Sequence, residues 1–242
     1  MRARLIIAVL LLLGLALAPL SASGQGSELR QSAITVLSDG RVSEDTGTRT
    51  AIDYFDPENP GAKPPAVRKV EIIQPRGARI DTSVPPRCHA SDAELMAQGA
   101  DACAEASVVG RGYLRLDTGF SGPGRFIEAN ITLLNEVDQL IFLSTIRDSD
   151  FRVVTRAKVS GRGVTTEVPM LPGAPPDGAA LDVARTKLAS ISVERGPRRG
   201  SYIRTPSRCP RRGYWVVRHR FTYADGVAQT VPSRTPCRRS RR

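Results

Sequence analysis

Between Tyr214 and Tyr223 the chain reads YWVVRHRFTY, and its alternate residues fall into two sets. Trp215, Val217, His219, Phe221 and Tyr223 lie on one side of an extended chain, and Val216, Arg218, Arg220 and Thr222 on the other. Side chains along a strand point alternately to opposite faces. A period of two therefore means a half-buried strand with an aromatic inner face and an arginine-bearing outer face. The turn Ala224-Asp225-Gly226 follows. A three-residue loop with glycine in the left-handed position pairs Tyr223 with Val227, Phe221 with Gln229 and His219 with Val231. That register puts Val227 and Val231 on the aromatic face. A two-residue Asp-Gly loop would set them among Thr222 and Arg220, so burial selects the longer loop. The two arms bring Cys209 and Cys237 to the open end of the hairpin, where a bridge would staple it.

Upstream, strand signals recur between turns. VRKVEIIQP holds a strand ended by Pro75, and SAITVLSDG holds one through Ala33–Leu37 with a turn at Asp39-Gly40. From Val108 the chain is strand after strand. VVGRGYLRL leads to the glycine-rich turn DTGFSGPG. RFIEANITLL sets Phe126, Glu128 and Asn130 against Ile127, Ala129, Ile131 and Leu133. FRVVTRAKVS and TKLASISVE flank the proline-glycine loop 168–180. QLIFLSTI (139–146) is nearly all apolar, which predicts a central strand covered on both faces. One helix is signalled. Ser91-Asp92-Ala93-Glu94 forms a capping box and Gly99 a stop, giving a short helix near 91–98. These elements predict a mainly β protein, an antiparallel β-sandwich or barrel-like fold with one short helix and a stapled C-terminal hairpin module at 201–237.

The first 23 residues have the three-part layout of a secretory signal: Arg2 and Arg4, the apolar run Leu5–Ala18, and small residues at Ser21-Ala22-Ser23. The run is short for a bilayer span, which takes about 20 residues, although a tilted, retained anchor is the alternative. The expected mature chain is one β-rich domain over 24–237 with a basic disordered tail at 238–242, secreted or held in the cell envelope. In such a compartment four cysteines read as two disulfides. Three pairings are possible, and the sequence spacing favours the local ones, Cys88–Cys103 and Cys209–Cys237. The first would close a loop around the helix, which is too short to be stable alone.

Two blocks carry a resemblance. TPSRCPRRGYWVVRHRFTYADGVAQTVPSRTPC looks like the C-terminal signature of a family of exported, largely uncharacterised actinobacterial proteins. PPRCHASDAELMAQGADACAEASVVGRG is similar to the same family's other signature, with Ala104 where the family usually carries proline after the cysteine. The resemblance spans about residues 68–237. It implies export, a β-rich fold and the local cysteine pairs, and it implies no activity.

Catalytic and metal chemistry find little footing. His89 and His219 are the two histidines, and no pair of cysteines has the C-x₂₋₄-C spacing of a structural zinc site. Asp45-Thr46-Gly47 and Asp117-Thr118-Gly119 spell the D-T-G of acid proteases, but neither stretch is framed by the apolar strands that this chemistry needs. Ser121 stands among glycines without a G-x-S-x-G elbow; its base would have to be His89 or His219, and His219 falls on the packed face of the hairpin. We therefore assign no catalytic residue, no metal and no cofactor.

Charge is unevenly placed. Residues 24–194 hold 19 Lys and Arg against 23 Asp and Glu, whereas residues 195–242 hold 14 Arg and one acid, Asp225. Arg218 and Arg220 on the outer hairpin face, with Arg238, Arg239, Arg241 and Arg242 in the tail, form an expected contact surface for anionic cell-envelope polymers rather than for a specific nucleic acid. The leading expectation is thus an exported protein acting through surface contacts. The alternatives are a secreted hydrolase with an unrecognised site, and a carrier of a small ligand or lipid. A carrier would need an apolar pocket of some 300 Å³ or more, expected near QLIFLSTI.

Overall fold

The computed structural model describes residues 28–195 and 198–239; the leader at 1–23 and Arg241 and Arg242 of the tail lie outside these residues. The described chain is mainly β. Its strands are β1 (Gln31–Leu37), β2 (Thr48–Tyr54), β3 (Val67–Ile73), β4 (Arg79–Ile80), β5 (Val108–Asp117), β6 (Phe126–Glu136), β7 (Gln139–Ile146), β8 (Arg152–Ser160), β9 (Gly163–Glu167), β10 (Ala180–Leu188), β11 (Ser192–Arg195), β12 (Arg198–Ser201), β13 (Ile203–Arg204), β14 (Tyr214–Tyr223) and β15 (Ala228–Pro236). Eleven of them make one sheet in the order β1-β2-β10-β5-β6-β7-β8-β9-β3-β14-β15, antiparallel at every step. The sheet curls until its first and last strands meet, a nearly closed barrel.

An odd number of alternating strands leaves the first and last running the same way, so the closing seam must be parallel. The β1–β15 seam is so, with a parallel bridge at Arg41–Arg238. Hydroxyls hold its middle. The Thr35 N–H donates to Ser233 Oγ (2.9 Å), and Ser233 Oγ and Thr235 Oγ1 both donate to the Thr35 carbonyl (3.0 and 3.1 Å).

The hairpin of β14 and β15 has the three-residue loop. His219 faces Val231, Phe221 faces Gln229, and the Tyr223 N–H donates to the Val227 carbonyl. Gly226 has φ +83°, the left-handed conformation that glycine adopts without a steric cost. Both local disulfides are present, with Cα separations of 5.1 Å for Cys88–Cys103 and 5.7 Å for Cys209–Cys237.

The one α-helix among the described residues, α1 (Asp92–Gln98), carries the capping box. Ser91 Oγ accepts from the Glu94 N–H, and the Glu94 carboxylate accepts from the Ser91 N–H. It lies on the outside of the barrel, where buried Leu95 packs with Leu134, Ile141, Leu143 and the Cys88–Cys103 bridge. Arg156 of β8 docks it through Asp92 and the Ala90 carbonyl, and Arg152 donates to the Met96 carbonyl at its C-terminal end. This explains the apolar run of β7. Ile141 and Leu143 face α1 while Leu140 and Phe142 face the interior.

The two ends of the barrel differ. At one end the β4–β13 pair lies across the opening, and Ile80, Val84, Tyr202 and Ile203 pack onto Val109, Leu133, Leu140, Ala157 and Val159. At the other end the strands are joined by loops 55–66, 118–125, 147–151 and 168–179 and by the turn 224–227.

Candidate functional site

The barrel interior is filled unevenly, and the cause is residue size. β14 contributes Trp215, His219, Phe221 and Tyr223, all buried, and Tyr54 meets Phe221 edge-on with ring centroids 5.8 Å apart. These large groups fill the side of the lumen under β1, β14 and β15. The remaining eight strands point mostly aliphatic side chains inward and leave a cavity of about 410 Å³.

The cavity runs from the loop-bearing end down to the packed floor. Ile52, Leu116, Ile127, Ala129, Ile146 and Val153 are among its walls. Loop 168–179 forms part of the rim through Pro169, Leu171 and Pro172. That loop is tied down by Lys63 Nζ, which donates to the Ala174 and Gly178 carbonyls (both 2.9 Å), by the Ala174 N–H on the Thr118 carbonyl (2.7 Å), and by the Arg68–Asp177 ion pair (3.1 Å). Phe151 and Met170, 62% and 67% exposed, stand beside the opening. Gly112 of β5 permits the inward crowding of β10, because a Cβ there would lie 2.4 Å from the Arg185 carbonyl oxygen.

Among the described residues no charged side chain lines the cavity. Its polar lining consists of hydroxyls. The residue that lies deepest on each wall strand is Thr50 on β2, Thr186 on β10, Leu114 on β5, Ile131 on β6, Phe142 on β7, Thr155 on β8, Thr166 on β9 and Ile72 on β3. Four of the eight are threonines. Thr166 pairs with Val70, nearer the mouth than Ile72, and with Ser144 and the Tyr54 phenol it interrupts the otherwise apolar walls there. Burial, with the Tyr223 phenol nearby, pushes the Tyr54 hydroxyl far above its ordinary pKa, so it stays protonated.

Thr50 is wired to His219, which is fully buried. His219 Nδ1 lies 3.3 Å from the Val231 carbonyl oxygen, Nε2 lies 2.7 Å from Thr35 Oγ1, and Thr35 Oγ1 lies 2.9 Å from Thr50 Oγ1. Desolvation holds the imidazole below its ordinary pKa, with the carbonyl contact opposing in part, so the ring is neutral at pH 7.

The other sequence candidates are scattered. Asp45 sits at the plugged end, paired with Arg199 at 2.7 Å, and Asp117 at the mouth end, paired with Arg125 at 2.9 Å. The two D-T-G carboxylates therefore cannot share a proton. His89 is on the surface, 3.5 Å from the Glu136 carboxylate. Ser121 is exposed in the loop after β5. Among the described residues no cluster of His, Cys, Asp and Glu could hold a metal ion. Arg218 and Arg220 do share the outer face of β14; Arg220 Nε is 3.7 Å from Glu71, and Arg218 has no carboxylate partner among the described residues. Arg238 and Arg239 are exposed at the plugged end, where the Arg238 N–H is bonded to the Gly40 carbonyl. Exposed Arg76, Arg79, Arg162, Arg211 and Arg212 belong to the same end.

The cavity was expected near 139–146, and Phe142, Ser144 and Ile146 do line it. The threonines of its inner end carried no signal in the sequence, because a threonine alternating with aliphatic residues is ordinary strand composition. Fold and site together define a barrel with an apolar cavity that opens at its loop-bearing end. Compared with known proteins, the chain matches no family model, no curated protein and no solved structure.

Proposed function

We propose that the protein is an exported carrier that holds one lipophilic small molecule inside its barrel. The observation that carries this reading is the cavity of about 410 Å³, lined among the described residues without a charged group and with Pro169, Leu171 and Pro172 of the loop-bearing end at its rim. Binding pockets run from about 300 to 1,000 Å³ and are mainly apolar. Empty apolar space of this size costs stability that a bound ligand would recover. The two disulfides support folding in an oxidising compartment, and the leader-like run Leu5–Ala18 supports export.

The test is a fluorescent apolar probe. Wild-type protein should bind it at one site with a rise in emission. Ala184→Trp, which fills the cavity with an indole, should abolish binding while the protein still melts cooperatively. Equal binding by the two proteins would place the probe elsewhere and remove the reading.

The arginines favour a second, compatible reading, contact with anionic cell-envelope polymers. Basic side chains crowd the plugged end, away from the mouth, so attachment there would leave the cavity open. Retention on cell-wall preparations should fall as salt shortens the Debye length from about 10 Å at 0.1 M to about 3 Å at 1 M. Replacing Arg238, Arg239, Arg241 and Arg242 with Ser should lower it, and adding Arg218→Ser and Arg220→Ser should lower it further. Retention indifferent to salt and to all six substitutions would dispose of this contact.

A further inference from the structure

We infer that the ligand is a neutral lipophilic alcohol, seated with its hydroxyl on Thr50 at the inner end of the cavity and its hydrocarbon towards the mouth. This rests on the carrier reading above and adds the chemical class of the ligand.

Charge is excluded first. Among the described residues no Lys, Arg or His lines the cavity. A carboxylate or phosphate carried inside would be buried without a partner, which costs far more than the hydrocarbon gains. Size comes next. At about 410 Å³ the cavity is at the small end of the range of ligand pockets, about 300 to 1,000 Å³. That is room for one acyl-like chain or one fused-ring skeleton, not a diacyl lipid.

The polar end is fixed by the direction of a hydrogen-bond chain. The Val231 carbonyl can only accept, so His219 Nδ1 carries the proton and donates to it. Nε2 of the neutral ring must then accept, and the Thr35 hydroxyl donates to it. The Thr35 oxygen in turn accepts from the Thr50 hydroxyl. Every proton in the chain is committed, and Thr50 Oγ1 is left with acceptor lone pairs alone on the cavity side. A ligand that satisfies Thr50 must bring a donor. An alcohol does so. An ether, ester or ketone would place one acceptor against another.

A hydroxyl must also accept. Thr186, directly across from Thr50 in the β2–β10 register and likewise the deepest lining residue of its strand, supplies a second hydroxyl at that level. Towards the mouth the walls are mainly aliphatic, with Ser144, Thr166 and the Tyr54 phenol among them, so the hydrocarbon points outward and the hydroxyl inward to the Thr50–Thr186 pair.

The test compares four probes of one chain length, dodecanol, dodecane, methyl dodecyl ether and dodecanoate, by competition against the fluorescent probe at pH 7.5. Wild-type protein should prefer dodecanol to the ether and to dodecane by about tenfold, the worth of one buried hydrogen bond. Dodecanoate should bind weakest. Thr50→Val, nearly the same shape, should bring dodecanol down to the affinity of the ether. Thr50→Ser should keep the preference. Dodecane reports whether the cavity is intact in each variant.

If the fluorescent probe binds and Ala184→Trp blocks it, but dodecanol is no better than the ether, the carrier stands and the alcohol assignment falls. The assignment also falls if Thr50→Val retains the preference for dodecanol. If wild-type protein binds neither the fluorescent probe nor any of the four, the carrier reading falls and takes this one with it.

Discussion

His219 had two readings in the sequence, a packed core histidine or the base of a nucleophile. The structure places it inside the barrel, where Thr35 reaches it from β1 and the Val231 carbonyl from β15. Among the described residues no carboxylate hydrogen-bonds it, and desolvation is the larger influence on it. Its folded pKa lies below the ordinary value of about 6.5. Above that pH neither state of the chain carries the proton, and the group is silent. As pH falls below about 6.5 the unfolded chain takes up a proton that the folded chain refuses, so stability is lost until the folded pKa is passed. Urea melts between pH 7.5 and 5 should show this loss in the wild type. His219→Gln should flatten the part of the slope due to this residue. Identical slopes in the two proteins would mean that the ring charges inside the fold.

The helix α1 separates what was legible from what was not. Ser91 and Glu94 announced its start, Gly99 its end, and the flanking cysteines its staple. Nothing in those residues says which surface it covers, since a two-turn helix with one large buried side chain can dock on any apolar strand face. The partner became visible only from β7, whose outward residues Ile141 and Leu143 needed a cover. Leu95 is 0% and Met96 47% exposed, one residue apart on the same helix. Leu95→Ala should therefore cost about 2–5 kcal/mol, as buried Leu-to-Ala changes do. Met96→Ala should cost under about 0.5 kcal/mol, as surface changes do. Denaturant titration of both variants measures the difference, and comparable losses would mean that the helix face is assigned wrongly.

Barrel closure is a property of all eleven strands together. Because their number is odd, the last seam joins two parallel edges, β1 and β15, and Ser233 and Thr235 bridge it where the backbones do not pair directly. Ser233→Ala leaves the buried Thr35 N–H without its acceptor, a cost of about 1–3 kcal/mol. Amide exchange at Thr35 should quicken by more than exchange at Ile141, on the far wall. If the two sites respond alike, the seam is no weaker than the rest of the sheet. The same seam bears on the cavity. Thr35 is both the closure point and the middle link between His219 and Thr50, so loosening the seam should also blur the choice between alcohol and ether.

Local patterning alone was enough to specify the strand character of the chain, the short helix and the three-residue hairpin loop with Val227 and Val231 on the aromatic face, and it favoured the two local cysteine pairs among three pairings. Each of these depends on residues near one another in the chain: a period of two, a cap three residues from its partner, a turn matched to its arms. Strand order, closure and cavity depend on pairings across long stretches of sequence. β2 lies beside β10, and β3 between β9 and β14, which no local signal specifies. The cavity is a difference between volumes: the room enclosed by eleven strands minus the side chains that enter it. The aromatics of β14 fill one side, the smaller residues of eight strands leave the other empty, and that balance exists only once the barrel has closed.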